Sequence, residues 1–152
     1  MEEMRGRRSP KTALAQIWLT VLPLLALVAL WPSSREEAPA SSFPDGGGVP
    51  FVSADDSVAV IIETHAPVVL GWALVVLGVG LSAAVVAGTR GPTARLWRLS
   101  VLGRVALVVV ALVGGAFASL PVQAHLLGWD RGEVPTVVPW WSNASFSWIE
   151  VH

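Results

Sequence analysis

The chain contains no cysteine. Disulfides, cysteine zinc sites, haem attachment through CxxC and thiol catalysis are therefore excluded. Charge is also scarce: 14% of the 152 residues are Asp, Glu, Lys or Arg, against roughly 25% in soluble domains. Most tellingly, Ala13–Trp31, Ala66–Gly88 and Val105–Ala124 carry none at all. Outside these stretches no segment approaches the about 100–150 residues of a typical soluble domain. That excludes a substantial enzymatic domain, although not a small one assembled from loops.

The chain is instead rich in apolar residues, 53% hydrophobic with a mean hydropathy of +0.62. Each uncharged stretch has about the 20 residues a helix needs to cross roughly 30 Å of hydrocarbon. Backbone N–H and C=O groups cannot stay unpaired in lipid, so such segments must be helical. The fold expected is an all-α integral membrane protein with three transmembrane helices, over 13–31, 66–88 and 105–127.

Cation placement orients these spans. Arg5, Arg7, Arg8 and Lys11 precede the first, and Arg90, Arg95, Arg98 and Arg104 lie in 89–104, between the second and third. Cations concentrate in short cytoplasmic loops. Segments 1–12 and 89–104 are thus assigned inside, 32–65 and 128–152 outside, giving an N-in/C-out, multi-pass protein of the plasma (inner) membrane. Eight of ten cations obey this scheme, and nine of eleven acidic residues fall outside. The arginine-rich composition suggests a bacterial source. A cleaved signal peptide competes for the first span, with Ala38-Pro39-Ala40 as its site. However, the 19-residue apolar core exceeds the usual 7–15, which favours a retained helix.

Ser9-Pro10 reads as the start of the first helix, and Pro23 as a kink within it. Thr20, one turn earlier, is placed to serve the disturbed ladder. Residues 32–50 read as a Pro/Ser/Gly tether ending in Asp45-Gly46-Gly47-Gly48. Ser57–Thr64 alternates with a period of two and favours a strand over a helical lead-in capped by Asp55 or Asp56. Residues 145–152 alternate similarly, so a small outer β-pair is part of the expectation.

Small residues recur at four-residue spacing as Gly80, Ala84, Gly88 and as Ala111, Gly115, Ser119, and such rows let membrane helices approach closely. They predict a tight pair of spans two and three, with span one peripheral or docked through Ala26 and Ala29. An oligomer interface is the alternative use of the same rows. Trp31 and Trp129 suit an interfacial belt. Trp140, Trp141, Phe146 and Trp148 are too much aromatic surface for a tail in free solution, and mark it for contact with membrane, the Ser57–Thr64 strand or a protein partner.

No Asp, Glu, Lys or Arg lies within the three spans as drawn, which argues against a transporter. A homo-oligomeric pore lined by Ser82 and Ser119 is an alternative. His65 and His125 offer imidazoles for an outer metal or haem site, with Glu63, Asp130, Glu133 or His152 to complete it. They match no ligand-spacing motif. Neither GxSxG nor HExxH occurs, and Asn143-Ala144-Ser145 matches a glycosylation sequon. The function expected is a small non-catalytic accessory subunit of a membrane complex. Its partners would be the bilayer and a membrane protein or further copies of itself, with no nucleic acid, identifiable small-molecule substrate or cofactor.

Overall fold

The computed structural model describes residues 10–43, 57–88 and 93–151. Four helices and three strands follow one another as α1 (Pro10–Ala29), β1 (Ser34–Pro39), β2 (Ser57–Thr64), α2 (Val68–Ala87), α3 (Thr93–Phe117), α4 (Leu120–Leu126) and β3 (Ala144–Val151), with short 3-10 turns at Ala40–Ser42 and Trp129–Arg131. The chain divides into a helical unit, Met1–Ala29 with Val69–Val113, and a sheet unit, Leu30–Val68 with Gly114–His152.

Three helices are long and apolar enough to span a membrane: Pro10–Ala29, Val68–Ala87 and the Trp97–Phe117 part of α3. At most 22% of each span's apolar window is buried inside the chain. Leu19, Trp72, Val76, Leu102 and Leu112 are each about two-thirds exposed. A helix that is apolar around its whole circumference suits a lipid solvent.

In the helical unit Ile17, Val21, Leu70, Leu74, Val85 and Leu107 form the core. The first helix is therefore not peripheral: Ile17 and Val21 are fully buried, whereas Ala26 and Ala29 are exposed. A Cβ on Gly78 would sit 3.0 Å from Val21 Cγ2, and one on Gly103 2.6 Å from Leu81 Cδ2. In this unit Gly78 and Gly103 make room for neighbouring side chains, whereas Gly80 of the predicted rows does not. Helix α1 continues through Pro23. Thr20 Oγ1 donates to Gln16 O at 3.1 Å, so it does not serve the Leu19 carbonyl that Pro23 leaves without a donor.

The third span differs most from expectation. Helix α3 begins at Thr93, so Arg98 and Arg104 lie within the apolar span, and it stops at Phe117. Pro121 explains the stop, because it has no N–H for the Phe117 carbonyl and its ring would strike that carbonyl in a continuing helix. Ser119 turns extended (φ −69°, ψ 147°) and α4 starts with Pro121 in its first turn. Ser119 thus leaves the predicted Ala111, Gly115, Ser119 row.

The sheet unit holds an antiparallel three-stranded sheet in the order β1-β2-β3. The predicted strand at Ser57–Thr64 is present and central. The expected β-pair is a three-stranded sheet, because Ser34–Pro39, read as tether, pairs with β2 from Ser34 opposite Thr64 to Pro39 opposite Ala59. Proline and charge (Ser-Arg-Glu-Glu-Ala-Pro) disguise that strand, and both are tolerated at a sheet edge. Asp45–Gly48, Asp55 and Asp56 lie outside the described residues.

Candidate interaction surfaces

The inner face of the sheet is built by alternation along the central strand. Val60 and Ile62 point to one side and are fully buried against Phe43, Ala124, Leu127, Trp129, Val134 and Ala144. Trp129 is 6% exposed, with its ring 4.9 Å from Phe43 and 5.8 Å from Phe146. It is a core residue of the sheet unit rather than a member of an aromatic belt. On the opposite face Arg35 pairs with Glu37 and lies 3.7 Å from Glu63, its cross-strand partner.

Two side-chain amides close the break between α3 and α4. Gln123, fully buried, donates from Nε2 to Phe117 O at 2.8 Å, supplying the hydrogen bond that Pro121 cannot. Its Oε1 accepts from Ser142 Oγ at 2.7 Å, and Ser142 Oγ accepts from Ala144 N–H at 3.0 Å. Asn143 Nδ2 donates to Ala118 O (3.0 Å) and to His65 O (2.8 Å). The orphan carbonyls at the end of α3 are therefore met by side chains from α4 and from the residues leading into β3. Sequence reasoning missed both amides. The signal available was a proline two residues before a glutamine in an otherwise apolar run. Because Asn143 is used in this way, its sequon match has a structural explanation.

The predicted aromatic contact residues divide. Trp141 is half-buried with its ring 5.7 Å from Phe117, and both Trp141 and Phe146 pack against the sheet unit's own core. Trp148 is 37% exposed, whereas Trp140 is 83% exposed and Val137 78%. Of the four, Trp140 is the ring the fold leaves open.

The small-residue row on α2 is likewise unused within the chain. Gly80 and Ala84 are exposed and Gly88 is half-buried, and a Cβ on Gly80 would meet nothing within 4 Å. Ala111 packs against the helical core. A Cβ on Gly115 would lie 3.3 Å from the Trp31 ring, within the sheet unit. The tight pairing of spans two and three through these rows is not found. The helices meet through side chains, not by close backbone approach.

The two histidines have separate partners. His65 Nε2 lies 2.8 Å from Ser145 Oγ, and His125 Nδ1 lies 2.8 Å from Asp130 Oδ2. The His125 hydrogen bond lowers the Asp130 pKa below its ordinary 3.8. Glu133 sits 3.5 Å from Arg131. Among the described residues no three His, Cys, Asp or Glu side chains gather as a metal site, and His152 lies outside them. The residues proposed to line a pore are also engaged: Ser82 Oγ donates to Gly78 O at 2.8 Å and Ser119 Oγ to Ala116 O at 2.7 Å.

A further polar feature lies on the surface of the helical unit. Arg104 Nε donates to Thr20 Oγ1 at 3.0 Å. The two residues border a groove of about 320 Å³ whose other walls are Val101, Val105, Val108 and Val109. No family model, curated protein or solved structure matches this chain.

Proposed function

We propose that the chain is a small, non-catalytic subunit of a larger membrane-protein complex, inserted by three helices. The observation that carries this reading is the exposed, largely apolar surface of α1, α2 and the Trp97–Phe117 span, which water would not tolerate and lipid would cover. Strand pairing supports the threading. Helices α2 and α3 both lie between β2 and β3 in sequence, and β2 and β3 share one sheet. An even number of crossings must separate paired strands, so α2 and α3 cross together or not at all. With α1 preceding β1, the three-span scheme puts all three strands on one side. The cation distribution supports the outer side for them, and the membrane we propose is the plasma membrane.

Two surfaces are then free to meet partners: the exposed Gly80 and Ala84 face of α2, where close helix approach is open, and the outward Trp140 with Val137. The test is a pull-down of the tagged full chain from native membranes, with partners identified by mass spectrometry. Gly80→Ile and Trp140→Ala should each reduce recovery of a stoichiometric partner while leaving the chain's own abundance unchanged. Undiminished recovery with both substitutions together would count against these surfaces.

A further inference from the structure

From the Arg104 groove we infer that the helical unit receives a transmembrane helix of another protein carrying an aspartate or glutamate near the middle of its span. The inference rests on the membrane reading above and specifies the partner's chemistry.

Depth is the first consideration. Thr20 is the eleventh residue of the 20-residue helix α1, so at a rise of about 1.5 Å per residue it lies about 15 Å from either end. Arg104 is seven residues past Trp97 in the 21-residue apolar part of α3, about 10 Å into it. The hydrogen bond between them holds the guanidinium beside the middle of α1 rather than letting it reach for an interface. Arginine near a helix end snorkels, whereas this one is tied sideways.

Charge balance is the second. A guanidinium keeps its proton in proteins and offers five N–H donors. Nε is spent on Thr20, whose own hydroxyl donates onward to Gln16 O. The remaining donors have no acceptor among the described residues, and no Asp or Glu occurs anywhere in residues 10–29 or 69–113. A cation at membrane depth is costly, and such groups pair with an opposite charge or with backbone carbonyls. The counter-charge must therefore come from outside these spans. A second copy of these spans brings no carboxylate, which removes self-association through this groove.

The groove's shape is the third. Its four valines and Thr20 make a largely apolar trough with the single cation on its wall. A helix laid along it would bury apolar side chains on valine and meet Arg104 with one carboxylate. An anionic lipid would have to draw its phosphate some 10 Å below the headgroup level to do the same.

The experiment uses the full chain, donor-labelled and reconstituted in phosphatidylcholine vesicles. The probe is an acceptor-labelled synthetic Leu/Ala transmembrane helix with aspartate or leucine at its central position. Energy transfer should show about a tenfold preference for the aspartate helix. Arg104→Leu should abolish the preference and Arg104→Lys should retain most of it. Equal binding of both helices, or a preference surviving Arg104→Leu, overturns the inference. So does its loss on adding phosphatidylglycerol, which would make an anionic headgroup the occupant, or Arg104-dependent transfer between two copies of the chain. Alkaline extraction of the same vesicles separates the two levels. A chain released to the supernatant removes the membrane reading and this inference with it, and a retained chain lacking the preference removes this inference alone.

Discussion

Replacing Gln123 by methionine keeps the side chain's length and apolar bulk but deletes both of its hydrogen bonds. The native amide supplies the Phe117 carbonyl with the donor that Pro121 lacks and anchors Ser142, whose hydroxyl in turn holds the Ala144 N–H at the start of β3. Leaving a buried acceptor unpaired costs about 1–3 kcal/mol, and losing an ordinary hydrogen bond about 1 kcal/mol. The Phe117 bond is only part-buried, so the lower half of that range applies, and the sum is about 2–3 kcal/mol. Against a total stability of about 5–15 kcal/mol that is a large fraction. Equilibrium denaturation in detergent micelles, followed by near-UV circular dichroism, should show the loss. Amide exchange at Val60 and Ile62 should accelerate with it, because β2 is held by β3. Ser142→Ala, which deletes the bond to Gln123 Oε1 and the one from Ala144 N–H, should cost about 2 kcal/mol. If Gln123→Met stays within about 0.5 kcal/mol of the parent, a range typical of unimportant surface changes, the idea that this amide replaces the missing proline donor is refuted.

Three further substitutions probe other parts of the molecule. Trp129→Ala should cost about 3–5 kcal/mol, as buried aromatics do, while Trp140→Ala should leave the unfolding midpoint within about 0.5 kcal/mol; equal effects would contradict the burial difference. Gly80→Ala should stabilise α2 by up to about 1 kcal/mol through helix propensity, whereas Gly78→Ala presses on the stiff, β-branched Val21 and should cost about 1 kcal/mol or more, both read from thermal unfolding in micelles. Asp130 has a folded pKa below its ordinary value of 3.8, chiefly through the His125 hydrogen bond, so its contribution is present above that value and is lost as pH falls through the folded pKa. Carboxyl-carbon NMR should show His125→Phe raising the Asp130 midpoint, and an unmoved midpoint would reject the pairing.

Helix length and hydropathy were the legible part of this chain. The first two apolar stretches match α1 and α2 closely, because about twenty uncharged, largely apolar residues admit few alternatives. The third was drawn too far along. Hydropathy treats Leu120–Ala124 as a continuation, but Pro121 ends the hydrogen-bond ladder at Phe117, and the span slides back to include Arg98 and Arg104. Strand β2 was readable from its alternation. Strand β1 was not, because its residues are those that suit a solvated edge, and only pairing with β2 makes them a strand. The small-residue rows were visible, but which face of a uniformly apolar helix turns inward depends on the neighbouring helices. Hence Gly78 and Gly103 fit against side chains while Gly80 stays open. The carbonyl caps from Gln123 and Asn143 join residues up to 78 positions apart, a distance over which local pattern carries no information.

The order of the sheet also bears on how the protein is made. β2 sits in the middle, yet its second neighbour begins 80 residues later, with Ala144 opposite Thr64. At a synthesis rate of about 5–20 residues per second, β1 and β2 wait roughly 4–16 seconds as a two-stranded hairpin whose open rim displays unpaired backbone. During that interval α2, α3 and α4 must all be delivered to their final places before the rim can be sealed. Completion of the sheet thus reports on the helices' arrival, and a ribosome-bound chain stalled before Ala144 would be the form most in need of a chaperone.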